Sequence, residues 1–181
     1  MPPREPNRPS ADALLKAVRA EARGKLKIFL GAAPDVGKTF EMLREGADQL
    51  RQGRDVVAGI IETHGRAETE ALVAPFEMLA RRAIGHASHT LTEFDLEAML
   101  ERHPQIALID EHSHSSAAGS RHPKRWQDIE ELRDAGIDVL TTLNIQHIES
   151  LDDVVAGFTR VRVRKTVPDA VLDDARSRWL I

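Results

Sequence analysis

Apolar positions along this chain alternate between two rhythms. Ala11, Leu14, Leu15, Val18 and Ala22 recur at the spacing of one helix face, with Ser10 placed as an N-cap and Gly24 as a stop. From Lys25 onward short apolar runs, the mark of buried strands, alternate with helical spacing. The pattern predicts a strand over 25–30, a helix over 38–51 (apolar face Phe40, Leu43, Ala47 and Leu50, stop at Gly53) and a strand over 55–62. It continues with a helix over 67–80, a weak strand over 83–86, a helix over 93–102 and a strand over 105–110. A helix over 124–135, a strand over 138–144, a helix over 148–157 and a strand over 160–167 complete it, with no internal repeat. Apolar strands separated by helices imply an α/β fold, a three-layer sandwich whose mainly parallel sheet is covered on both faces.

A length of 181 residues suits one domain, expected over 10–181. Residues 1–9 hold Pro2, Pro3, Pro6 and Pro9 without periodicity and read as a disordered lead. Aromatics at 4%, with no tyrosine, argue against binding by base stacking, and the net charge of −4 argues against general nucleic-acid affinity. With no cysteine there is no disulfide, thiolate metal site or thiol nucleophile. No run is long and apolar enough to span a membrane, and Met1-Pro2-Pro3-Arg4 lacks the apolar centre of a signal peptide, so a cytoplasmic location is expected. The first thirty residues carry seven Lys/Arg against three Asp/Glu. Lys16, Arg19 and Arg23 therefore form a basic helix flank, either solvated or docking an acidic partner.

The chemistry gathers first at Gly31-Ala32-Ala33-Pro34-Asp35-Val36-Gly37-Lys38-Thr39, between a strand and a helix. This reads as a phosphate-binding loop: backbone N–H groups of Ala32, Ala33, Pro34's neighbours and Gly37 curl around the phosphates of a nucleotide, with Pro34, Asp35 and Val36 in the same turn. Lys38 reaches the outer phosphates and Thr39 coordinates Mg2+. Ala32 stands where the strict pattern has its first glycine, and Gly31 lies one residue too early to replace it. Asp35 places a carboxylate among anions, which predicts weaker triphosphate binding than in an Asp35→Gly variant. Ile106 to Ile109 ends in Asp110 and Glu111, which read as a magnesium ligand and a group that polarises a water.

Other polar groups fall at predicted strand ends. Asn144, Gln146 or His147 would sense the terminal phosphate. Arg66, in Glu62-Thr63-His64-Gly65-Arg66, would grip a phosphate or acidic substrate, or belong to a capping turn. The cations of Arg121-His122-Pro123-Lys124-Arg125-Trp126 would complete the phosphate site in trans, dock an acidic partner, or form the basic first turn of a helix. His112 and His114 have metal-compatible spacing but lack a third ligand. Arg160-Val-Arg-Val-Arg164 reads as a strand with one buried face, and the apolar end Trp179-Leu180-Ile181 as a packed terminus or an interface.

Four ordered motifs, Gly31-Ala-Ala-Pro-x-Val-Gly-Lys-Thr39, Glu62-Thr-His-Gly-Arg66, Gly119-Ser-Arg-His-Pro-Lys-Arg-Trp-Gln-Asp128 and Thr141-Thr-Leu-Asn-x-Gln-His147, resemble the N-terminal cytoplasmic domain of the KdpD osmosensitive potassium-channel sensor histidine kinases. The resemblance runs over about residues 10–175. It implies a P-loop, NTPase-like, ATP-binding input region that tunes a two-component kinase and phosphatase governing a potassium pump. Its partners would be other domains or subunits of that system, whose full-length members are anchored in the inner membrane. The chain departs from the pattern at Asp35, where glycine is usual. It departs again over Asp110-Glu-His-Ser-His-Ser-Ser-Ala-Ala-Gly119, where the pattern is Asp-Glu-Leu-Ala-His-Thr-Asn-Ala-Pro-Gly. No histidine sits in a phosphoacceptor context, so no kinase core is expected in these residues. The reading is a regulatory domain with ATP and Mg2+ as ligands and at most weak ATPase activity. The alternatives are a small-molecule P-loop kinase or NTPase, with Glu111 as base and Arg66 and Arg121 binding the acceptor, or a degenerate module left with a docking surface.

Overall fold

A computed structural model describes residues 10–32, 36–86, 89–151, 166–175 and 177–180. Its elements run α1 (Ala11–Ala22), β1 (Leu26–Gly31), α2 (Lys38–Arg51), β2 (Val56–Ile60), α3 (Ala67–Val73), β3 (Glu77–Met78), β4 (Arg82–His86) and β5 (His89–Glu93). There follow α4 (Leu96–Arg102), β6 (Ile106–Ile109), α5 (Arg125–Asp134), β7 (Asp138–Asn144), a 3-10 turn (Ile145–His147), a short helix (Asp169–Asp173) and β8 (Ser177–Leu180). Six strands form a sheet in the order β3-β2-β6-β7-β1-β8, and every pairing in it is parallel.

Period-two alternation sorts the strand side chains into two cores. Leu26, Ile28, Val57, Ala107, Ile109 and Val139 pack with Met99 of α4, Ile129 and Leu132 of α5, and Val171 and Leu172 of the short helix. Phe29, Val56, Ala58, Ile106, Leu108 and Leu140 pack instead with Met42 and Leu43 of α2 and Phe76 beyond α3. The result is the expected three-layer α/β sandwich, with β6 and β7 buried at its centre.

Several boundaries differ from the sequence expectation. The helix expected over 67–80 ends at Val73, and Glu77–Met78 instead pair with β2 as a short edge strand. The weak strand near 83–86 is not in the parallel sheet; β4 and β5 form a separate antiparallel hairpin, so the helix expected from 93 begins at Leu96 behind the Asp95 cap. Of the helix over 148–157 and the strand over 160–167, most lies outside the described residues, as do Arg160 to Arg164; Val167 makes a single parallel bridge to Ile148. The C-terminal segment is an edge strand, β8, beside β1.

α1 forms where expected, with the Ala13 N–H donating to Ser10 Oγ at 3.1 Å. Its apolar face does not join the core: no residue of α1 is buried, and Leu14, Leu15 and Val18 are 53%, 51% and 61% exposed. Ion pairs tie it at its C-terminal end, where Arg23 pairs with Glu130, Asp134 and Asp174. Gly24 serves close packing rather than a left-handed stop. A Cβ there would lie 1.9 Å from the Ile137 carbonyl oxygen, and the Gly24 N–H and carbonyl bond to the Arg133 carbonyl and Nε. Gly24→Ala should therefore lower stability by about 2 kcal/mol, the usual scale for overpacking, measured as a fall in urea midpoint; an unchanged midpoint would show that the backbone yields.

Candidate functional site

The carboxyl ends of β1, β2, β6 and β7 and the N-terminus of α2 surround one open pocket. Gly37, Lys38, Thr39 and Phe40 line one side, Glu62, Thr63, His64, Arg66 and Thr69 a second, and Asp110, Glu111, Ser113, His114, Thr142, Leu143, Asn144 and His147 the remainder. Gly37, at φ +96°, turns the chain into α2, whose 14 residues start at Lys38 with no side-chain cap. A helix start without a side-chain cap at a pocket wall suits an anion.

Lys38 is largely buried. Its stem lies over Gly31, where an added Cβ would come within 2.7 Å of Lys38 Cδ and 2.5 Å of Val36 Cγ2. Gly31, too early for the strict motif, is thus needed for another purpose: it makes the floor on which the lysine stem rests. Ala32 and Val36 are exposed at the ends of the loop, and Ala33, Pro34 and Asp35 lie outside the described residues.

Asp110, 2% exposed, is the hub of the pocket. Thr39 Oγ1 donates to its Oδ2 at 3.1 Å, the Glu62 N–H donates to the same oxygen at 3.1 Å, and the Glu111 N–H donates to Oδ1 at 3.0 Å. Thr142 Oγ1 donates to Oδ1 as well, and in turn accepts from the Glu111 N–H at 3.1 Å. Residues 71 positions apart, Thr39 and Asp110, are thereby brought together as two hard oxygen donors, the donor type that suits Mg2+. Since both carboxylate oxygens already accept hydrogen bonds, Asp110 fits a role exerted through the ion's water shell.

Glu111 has φ +56°, a conformation rare outside glycine, and its carboxylate is about half exposed at the pocket. His114 stands beside it, with Nδ1 3.7 Å from Glu111 Oε2 and Nε2 3.2 Å from both oxygens of Glu93. Glu93 is buried; burial opposes its ionisation, but bonds from His114 and the Ala117 N–H and the charge of Arg125 outweigh this and hold its carboxyl below the usual range. Arg125, 1% exposed, binds Glu93 Oε2 and the Asp110 carbonyl, each at 3.2 Å.

Arg66 and Asn144, both expected at the site, do line the pocket; Gln146 does not. Within the basic run 121–126 Arg125 is buried and structural, Arg121 and His122 pair with Glu131, and Lys124 donates to Ser115. Thr142, Glu93 and His114's role were not foreseen. A buried hydroxyl inside the apolar run of β7 was the one signal available for Thr142, while Glu93 was hidden by the helix expected at 93.

His112 and His114 do not act as a pair. The His112 ring is wholly buried; burial, helped by the charges of Arg133 and Arg125, pushes its pKa down to about 3, and neither ring nitrogen has a hydrogen-bond partner. A buried imidazole so placed is destabilising relative to an apolar group. His112→Leu, which restores the residue of the resembled pattern, should raise stability by about 1 kcal/mol, a gain of about 3 °C in Tm for a chain of this size. A lower Tm would mean that the imidazole has a partner.

Comparison with known proteins agrees with the motif pattern. The profile of the family described as "KdpD: Osmosensitive K+ channel His kinase sensor domain" matches residues 22–181. The sensor protein KdpD of Escherichia coli (strain K12) is 53% identical over 171 residues, covering 94% of this chain and 19% of that protein. That of Clostridium acetobutylicum is 49% identical over 166 residues, 92% of this chain and 18% of that one. A putative sensor protein KdpD of Synechocystis sp. is 48% identical over 153 residues, covering 84% and 41%. The chain spans about a fifth of the length of the first two. No helix among the described residues is long and apolar enough to cross a membrane. A profile match over nearly the whole chain and identity near one half across most of it lead to one conclusion: this chain belongs to the KdpD sensor-domain family.

Proposed function

We propose that this chain is a cytoplasmic Mg-ATP-binding input domain of a potassium- and osmotic-stress-sensing two-component histidine kinase, acting on other domains or subunits of that system. The observation that carries the reading is the meeting of Thr39 with Asp110 beside the buried stem of Lys38, at the start of α2. Lys38 and the α2 N–H groups would bind the outer phosphates, and Arg66 and Asn144 would contact the terminal one. Thr39 and Asp110 would hold Mg2+, which neutralises phosphate charge when bound. Three carboxylates (Glu62, Asp110, Glu111) and two cations (Lys38, Arg66) line the pocket, so an anionic ligand needs an accompanying cation. Glu111 would orient a water for slow hydrolysis.

The small-molecule kinase reading is less well supported. It asks Arg66 and Arg121 to share an acceptor, whereas Arg66 lines this pocket and Arg121 is bound to Glu131 at 2.6 Å away from it.

Equilibrium dialysis of labelled ATP, with Mg2+ and with a chelator, tests the proposal. Binding should require Mg2+, and Asp35→Gly should bind about fivefold tighter, the factor given by about 1 kcal/mol of relieved repulsion. Equal binding without Mg2+ would refute the assigned roles of Thr39 and Asp110, and unchanged affinity in Asp35→Gly would show that Asp35 does not face the phosphates.

A further inference from the structure

The Glu111 side chain is about half exposed at the pocket, yet the groups around it are tightly fixed. Its backbone is locked in a left-handed conformation by the N–H bonds to Asp110 and Thr142, and its carbonyl accepts the His114 N–H at 3.0 Å. That tight turn returns the His114 ring toward the Glu111 carboxylate, at 3.7 Å. The far edge of the ring is held by Glu93, and Glu93 is itself held by the Ala117 N–H at 2.9 Å and by buried Arg125. The His114 carbonyl also accepts the Arg125 N–H at 3.0 Å, so Glu93 holds the ring and its ion-pair partner Arg125 holds the backbone.

From this we infer that His114 is a positioning residue: braced by Glu93, it aims the Glu111 carboxylate into the pocket. Such a chain, a reacting carboxylate set by an imidazole that a buried carboxylate orients, is a general way of restricting a flexible group to its productive geometry. It rests on the reading of the pocket as an Mg-ATP site. The step served is transfer of the terminal phosphoryl group to water. The water oxygen bonds to phosphorus, the bond to the bridging oxygen breaks with its electron pair leaving on ADP, and the water's proton passes to Glu111 and then to solvent. His114 contributes geometry alone; without it Glu111 samples solvent and the pocket keeps its affinity.

The test combines Mg-ATP dissociation constants with steady-state hydrolysis by the whole chain, for the wild type, Glu111→Gln, His114→Ala and the double variant. His114→Ala should lower kcat at least tenfold with the dissociation constant changed less than twofold, and should add nothing to the loss in Glu111→Gln, because it acts through that residue. A merely structural role would instead slow both backgrounds alike and lower Tm. Should His114→Ala not fold, His114→Gln, which keeps one donor to Glu93, replaces it with the same expectation. Unchanged kcat in His114→Ala, an equal further loss in the Glu111→Gln background, or binding by the wild type with no turnover would each overturn the inference while leaving the nucleotide site standing. Absence of binding by the wild type would remove both.

Discussion

Replacing Arg125 by methionine should destabilise the chain by about 4 kcal/mol, because removing one member of a buried ion pair leaves the other charged and uncompensated. For a chain of this size that is a fall of about 12 °C in Tm. Arg125 is 1% exposed, and its guanidinium serves both Glu93 and the Asp110 carbonyl. Its loss would leave the Glu93 carboxylate to His114 and one N–H. The companion Glu93→Gln/Arg125→Met double variant should recover a large part of the deficit, since a neutral amide needs no counter-charge. Arg23 is a useful contrast. It touches three acids but is a quarter exposed, and exposed pairs of this kind contribute about 1 kcal/mol or less. A Tm loss for Arg125→Met no greater than for Arg23→Met would contradict the assignment of Arg125 as the brace beneath the pocket.

Lys38→Ala should weaken Mg-ATP binding about 100-fold, the factor equivalent to the roughly 3 kcal/mol of a strong charge-assisted hydrogen bond. Tm, measured alongside, should show that the variant remains folded, since the lysine stem lies over Gly31 at the pocket edge. Gly31→Ala offers an independent check on the same geometry. Its new methyl would displace Val36 and the Lys38 stem, so affinity should fall while every charged group remains. Affinity unchanged in Gly31→Ala would mean that the lysine reaches its ligand by another path.

Local patterns in the sequence carried most of the sheet. β1, α2, β6 and β7 each join a long apolar run or a clean helical face to a clear stop, and β7 was expected over the same residues it occupies. The elements that differed are those whose state depends on partners far away in the chain. Glu77–Met78 carries no strand signal and is extended only because β2 is alongside, while β5 takes its shape from β4. α1 shows the converse: its helical spacing was legible, yet spacing cannot report whether the apolar face meets anything, and here it meets no core. At the pocket, Lys38, Thr39, Asp110, Glu111, Arg66 and Asn144 were legible because each lies at or beyond the carboxyl end of a strand. Arg125 was read with its basic run as completing a phosphate site, docking an acidic partner or opening a helix; only the fold reveals Glu93 beneath it. Gly31 was set aside on motif register, whereas its contact with Lys38 is a matter of space.

The measurement to make is a calorimetric titration of the wild-type chain with Mg-ATP, set against the same titration of Lys38→Ala. Saturable binding of one nucleotide per chain, lost in Lys38→Ala although that variant remains folded, is the outcome required by a phosphate site built on Lys38, Thr39 and Asp110. Absence of binding by the wild type, or equal binding by both proteins, would contradict it.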